Sequence, residues 1–352
     1  MSLEPLDSAQ INLVNQVQHN CDISDANFAG NYTLCIYLLK MREYYRWLSA
    51  IDFSDELDSE GMGQWLREKE ATWDQVIDEP YQSIQLENHQ YDPFDHGSIN
   101  SHINGDRLFY HAGIGQKAAQ HFFIAELEQQ HQQNDIRISI TGKEYARDLT
   151  APPALSTQDE IIVRKESLKR MCWERYQEWN WNRLDNPMAK ALSYYEFDRS
   201  IPDALEQMVE AELHTLIQHE LGEMNITQQA GDKWSTMMLG LMGTRAELLA
   251  RAVRDNLADS LFTLPYLIQQ QNPASLHFYF ANLNNLRKQI FPSAISAYQR
   301  WSETDDISVL SDLAERGVDH WSKTLHDILA IAASSVQKTD LDITLAIEQK
   351  KL

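Results

Sequence analysis

Between residues 202 and 224 the apolar positions recur with helical spacing. At about 100° per residue, Leu205, Val209, Leu213, Leu216, Ile217 and Met224 fall on one side of a helix. The same periodicity predicts helices over 166–179, 187–195, 244–270, 273–286 and 307–336, and leaves 341–347 open between helix and strand. Upstream, a helix is expected after Asp7-Ser8, carrying Ile11, Val14 and Val17, with a turn at 20–25. A second helix over 32–50 is apolar all round in its first half, which predicts deep burial, and a third over 60–78 carries Trp65, Leu66 and Trp73. From Tyr81 to Val163 the texture changes. Short runs with strand character at 107–111, 121–127, 136–141 and 161–163 are separated by Gly113 and Gly115, Asn134-Asp135 and Gly142. The Gln-rich stretch 129–133 reads as an exposed loop or a strand extension. Pro152-Pro153 is the strongest linker signal. The fold expected is therefore mainly α: an N-terminal α+β part with a small antiparallel sheet (1–155) and a C-terminal helical bundle (156–352).

Composition narrows the function classes. A chain of 352 residues with 43% hydrophobic and 23% charged residues is globular, and its length favours two domains. The formal net charge of −22 works against nucleic-acid binding and against an anionic membrane surface. The one basic stretch, 164–170, is interrupted by Glu166. Three cysteines, Cys21, Cys35 and Cys172, form no close pair and fit a reducing compartment. Glu4 and Asp7 near the start replace the basic region of a signal peptide, and the longest apolar run, 34–39, is far short of the roughly 20 residues that cross a bilayer. These features predict a cytoplasmic protein whose partner is a small molecule or another protein.

The candidate chemistry sits in His219-Glu220-Leu221-Gly222-Glu223. Glu212, Glu220 and Glu223 project into or beside the apolar arc, and His219 borders it. Carboxylates on such a face must be paired, protonated or metal-bound, because an isolated buried charge is too costly. His219 and Glu223, four residues apart, can reach one ion from the same helix face, with Glu220 as a ligand or as a general base on metal-bound water. Imidazole with carboxylates suits zinc, manganese or iron. Asp255 and Asp259 on the 244–270 helix and His320 farther on are candidate further ligands. The competing reading is a buried salt-bridge network, with Arg245, Arg251 or Arg254 neutralising the acids. In that case the protein is a non-catalytic interaction or scaffold protein, with aromatics such as Trp179 and Trp181 meeting a partner. Gly222 in mid-helix points to close approach of a neighbouring helix or a ligand.

Weaker signals surround this one. Gly113-Ile114-Gly115-Gln116-Lys117-Ala118 has the form of a dinucleotide fingerprint but lacks the following helix, so a hairpin loop is expected. His89, His96, His102, His111 and His121, with Asp92, Asp95 and Asp106, match no metal spacing.

Several runs together resemble a known family. They are Asn20-Cys21-Asp22-Ile23-Ser24-Asp25-Ala26 leading into Tyr32-Thr33-Leu34-Cys35, then Lys40-Met41-Arg42-Glu43-Tyr44, and the run from Ala146-Arg147-Asp148 to Pro152-Pro153. The His219–Glu223 motif and Arg251-Ala252-Val253-Arg254-Asp255 with Ala258-Asp259 complete the set. The family they resemble comprises uncharacterised proteobacterial proteins, a domain of unknown function with N- and C-terminal parts. The resemblance implies a two-part chain and brings no activity, cofactor or catalytic residue.

Overall fold

Helix α1 (Ser8–Phe28) begins with a capping box: the Asp7 carboxylate accepts from the backbone of Ala9 and Gln10, and the Gln10 side chain accepts from the Asp7 N–H. It continues straight through residues 20–25, where the polar run suggested a turn. Polar side chains break helices when they bond to their own backbone, and here they are engaged elsewhere. Asn20 exchanges two hydrogen bonds with the Gln82 backbone at 2.8 and 2.7 Å, Ser24 donates to the Gln120 carbonyl, and Asp25 accepts from Leu149 N–H at 2.9 Å.

The computed structural model describes residues 6–103, 105, 107–115, 119–133, 135–334 and 339–352. Asp106, Asn134, Val336 and the Gln116-Lys117-Ala118 part of the glycine motif lie outside the described residues. Two compact units divide the chain: Met1–Pro153 with Ile162–Trp173, and Ala154–Ile161 with Glu174–Leu352.

In the first unit α1 is followed by α2 (Leu34–Leu48), α3 (Ser59–Val76), the hairpin β1 (Ile84–Leu86) and β2 (His89–Tyr91), and α4 (His96–His102). Strands β3 (Leu108–Ile114), β4 (Gln120–Gln133) and β5 (Ile136–Arg147) then form an antiparallel meander. The Gln-rich stretch is the end of β4. After the short strand β6 (Ala154–Ser156), which belongs to the second unit, β7 (Glu160–Arg164) adds beside β5. Register shifts between Ile124 and Gln129 mark where β4 bends. Leu13, Val17 and Cys21 of α1 pack with Tyr110, Phe122, Ile124 and Ala146 of the sheet. Helix α2 departs from expectation. Its apolar first half lies outside, with Leu34 70% exposed, while Met41, Glu43, Tyr44 and Arg46 of its polar second half are buried. Ion pairing inside that half, described below, is what makes the inversion tolerable.

Helix α5 (Lys165–Asn182) contains the boundary between units. The second unit continues with α6 (Pro187–Leu192), α7 (Ile201–Ala230), α8 (Asp232–Gly240) and α9 (Arg245–Ala258). A π-helical turn (Asp259–Thr263) joins α9 to α10 (Leu264–Gln270). Then come α11 (Pro273–Asn282), α12 (Asn285–Ile290), α13 (Pro292–Thr304), α14 (Ser308–Ser334) and α15 (Thr339–Glu348), the last resolving the open choice at 341–347 as helix. Fully buried Trp321 of α14 shares a core with Leu249, Val253, Phe280, Phe291 and Ile343. Among the described residues no helix is long and apolar enough to cross a membrane.

Candidate functional site

Helices α7 and α9 meet backbone to backbone. A Cβ on Gly222 would stand 2.8 Å from the Ala258 Cβ and 2.9 Å from its Cα and carbonyl oxygen. Only glycine permits this approach, which places His219, one turn before it, and Glu223, the residue after it, opposite Arg254, Asp255 and Asp259. The π turn that starts at Asp259 widens the helix there, a distortion often found at functional positions.

Asp259 is 1% exposed and its carboxylate is fully engaged. One oxygen accepts from His219 Nδ1 at 2.7 Å and from Thr263 Oγ1 at 2.8 Å. The other accepts from Tyr279 Oη at 2.9 Å and from Arg287, whose Nε also donates to Asn256 at 2.8 Å. Burial alone would raise this carboxyl, yet Arg287 and His219 outweigh it and hold Asp259 well below the usual carboxylate range.

His219 Nε2 stands 3.2 Å from Glu223 Oε1, so each ring nitrogen faces a carboxylate. Burial disfavours the charged ring, but Asp259 and Glu223 prevail and keep His219 an imidazolium well above its ordinary range. Glu223 also pairs with Arg254, which reaches Asp255 at 3.3 Å and lies over the Trp234 ring. Burial of Glu223 is overcome by His219 and Arg254, and its carboxyl is held low. Two acids at the edge go the other way. Burial and the Glu223 charge lift Glu220 to about 7 and Asp255 to about 6. His219, Arg254 and Arg287 thus supply three positive charges, against Glu223, Asp259 and, near neutrality, Asp255. The cluster is close to balanced.

With this geometry in view, the comparisons with known proteins are specific about kinship. Residues 169–350 match the C-terminal domain, and residues 12–164 the N-terminal domain, of a family of unknown function (DUF6866). The chain belongs to that family. No curated protein and no solved structure matches it.

The family's C-terminal domain therefore holds most of the candidate residues in one cluster: His219, Glu220, Glu223, Asp255 and Asp259 share it. His320 has other partners, with Nε2 2.8 Å from the Lys350 carbonyl and its ring edge-on to Trp321. Of the three arginines considered, Arg254 joins the network, Arg245 pairs with Glu348 at 2.6 Å and Arg251 with Glu247 at 2.9 Å. Arg287, Tyr279, Asn256 and Thr263 are additional members. Tyr279 and Arg287 come from other helices at no telling spacing, so no sequence signal marks them. Among the described residues no group of three or more His, Cys, Asp and Glu side chains has the arrangement of a metal site. For a metal to enter here, His219 must lose a proton and Glu223 must leave Arg254. Zinc, manganese or iron would then find the imidazole and the carboxylates of Glu223 and Asp259 as donors.

In the N-terminal domain, His111 and His121 are buried with ring centroids 5.4 Å apart, and His96 lies 4.8 Å from His111. Burial, with His121 and His96 beside it, pushes His111 down to about 2. Strands β3 and β4 pair antiparallel on either side of the glycine motif, from Ile114 opposite Gln120 onwards. Cys35, in the apolar first half of α2 for which deep burial was expected, is exposed, whereas Cys21 and Cys172 are buried.

Proposed function

We propose that this is a non-catalytic interaction or scaffold protein in which the His219 cluster is a buried structural ion network. One observation carries the reading: both strongly acidic carboxylates of the cluster are committed to arginines, Glu223 to Arg254 and Asp259 to Arg287. An arginine cannot be deprotonated under ordinary conditions and competes with any metal for those oxygens. With both ring nitrogens of His219 facing carboxylates, that imidazole has no lone pair for a metal and no acceptor for general-base work. Exposed Trp181 and Leu184 offer apolar surface of the kind that meets a partner.

The rival is a metal centre ligated by His219, Glu223 and Asp259, with Glu220 as base and Asp255 as a further ligand. Metal analysis of full-length protein purified without chelator separates the two. The structural reading expects less than stoichiometric zinc, manganese and iron, and a thermal midpoint unmoved by chelator. Stoichiometric metal that is lost on His219→Ala would overturn it.

A further inference from the structure

Strands β3 and β4 hold histidines of the opposite character to His219. In their antiparallel register His111 stands opposite Phe123 and Gly113 opposite His121, and alternate residues of a strand share a face. His111, Gly113, His121 and Phe123 therefore lie on one side of the sheet. The His111 ring is 5.4 Å from that of His121 and 5.8 Å from that of Phe123, and His96 of α4 adds a third imidazole 4.8 Å from His111. A Cβ on Gly113 would stand 2.9 Å from His121 Nε2 and 3.1 Å from His111 Nε2, so the two rings fill the room that glycine leaves.

The Nδ1 atoms of His96, His111 and His121 are all buried and make no hydrogen bond among the described residues. A neutral imidazole carries hydrogen on one nitrogen only, and a bare Nδ1 needs no acceptor. A second proton converts it into a buried N–H with nothing to receive it, which is costly. The surrounding charges give little relief. Arg164 of β7 works against a proton on either buried ring, and its own carboxylate partner, Glu144, is committed to it at 2.7 Å. Asp148 favours a proton on His121, but three backbone N–H groups, those of Phe122, Thr150 and Ala151, hold its carboxylate at 2.8, 2.9 and 3.1 Å. Asp95 stands beside His96 at the exposed N-cap of α4. Burial prevails, and both His111 and His121 are held below the ordinary histidine value.

We propose that His111 and His121, with His96 against them, form an acid-sensitive switch: the sheet face they fill stays closed while the two buried rings are neutral and opens when they take up protons. Above the ordinary value of 6.5 the rings are neutral whether the face is open or closed, and the full stability is present. Below it the open form binds protons that the closed form refuses, so stability is lost as the pH falls. Each ring raises the open-to-closed ratio by up to about tenfold per pH unit, and the pair by up to about a hundredfold. The switch shares no residue with the His219 network, so its test stands apart from the metal analysis above.

Hydrogen exchange of the full-length protein between about pH 7.5 and about pH 5.5, above the range of ordinary carboxylates, tests it. Protection of β3 and β4, corrected for the intrinsic exchange rate, is expected to fall by about tenfold or more across that range. The ring chemical shifts of His111 and His121 are expected to stay those of neutral imidazole in the closed form. His111→Phe keeps a ring beside Phe123 and is expected to flatten the pH dependence while its circular dichroism stays native, and His121→Gln is a second variant for the same readout. Constant protection of β3 and β4 in the parent overturns the proposal, and this holds whether or not either variant folds. So does titration of His111 or His121 near 6.5 in the folded protein, or the parent's pH dependence retained in a folded variant.

Discussion

His219 Nδ1 and Asp259 Oδ1 are 2.7 Å apart, joining α7 to the first residue of a π turn. The pair is ionic: Asp259 is held low and His219 high. A histidine whose folded pKa exceeds its ordinary 6.5 contributes stability fully below that value and loses it as the pH rises through the folded pKa. The imidazolium is expected to persist to pH values well above the ordinary histidine range, read from the ring carbon and nitrogen chemical shifts of His219 by NMR. His219→Ala leaves Asp259 and Glu223 with one cation fewer. Its side chain is 25% exposed, so a loss of about 1–3 kcal/mol is expected in urea unfolding at pH 6, less than for a fully buried pair.

Gly222→Ala gains about 1 kcal/mol of helix propensity and loses more than that, because its Cβ meets Ala258 backbone atoms at 2.9 Å that cannot swing aside. A net destabilisation of about 1–3 kcal/mol is expected. Ala258→Gly in the same chain should recover part of it, and thermal midpoints of the two single variants and the double variant show the coupling. A neutral or stabilising Gly222→Ala would mean that the helices do not touch there.

Glu212 is buried on the apolar side of α7, and burial pushes its carboxyl up from 4.5 to about 8, against the partial relief of Ser275 and Thr215. Between those values the folded protein keeps a proton that the unfolded chain releases. Stability contributed by this group therefore falls as the pH rises from about 5 to 8, by up to about 1.4 kcal/mol per unit. Glu212→Gln removes the penalty. The variant should gain thermal midpoint over the parent progressively between pH 5 and 8, and a constant difference across that range would speak against a protonated Glu212.

In the first unit Arg164 is fully buried, with Nε 2.7 Å from Glu144 and its guanidinium 4.0 Å from the Phe123 ring centre. Glu144→Ala strands that charge and should cost about 3–5 kcal/mol in urea unfolding, with Arg164→Met cheaper on the Glu144→Leu background than alone.

How much of this was legible beforehand differs from element to element. The period of 3.6 marked α7 and α14 closely, and the short runs around His111, Ile124 and Ile138 marked the meander, because one-sided burial writes a pattern into sequence. Asn20 to Asp25 misled as a turn because their partners, Gln82, Gln120 and Leu149, are distant in the chain. Helix α2 misled because hydrophobicity says what can be buried, not which side is, and its buried half is held by Glu43 and Arg46. In the candidate site, His219, Glu223 and Arg254 were readable from helix spacing. Tyr279 and Arg287 were not, since helices later in the chain bring them in, and the π turn has no compositional mark.

That turn also takes up one residue more than an α turn would. Five residues, Asp259–Thr263, occupy it, and a chain one residue shorter there would close as a regular α turn with Leu264 and Leu267 still facing the core. A homologue one residue shorter there should lack the acid and its arginine together, having traded an ionic joint for an ordinary cylinder of backbone.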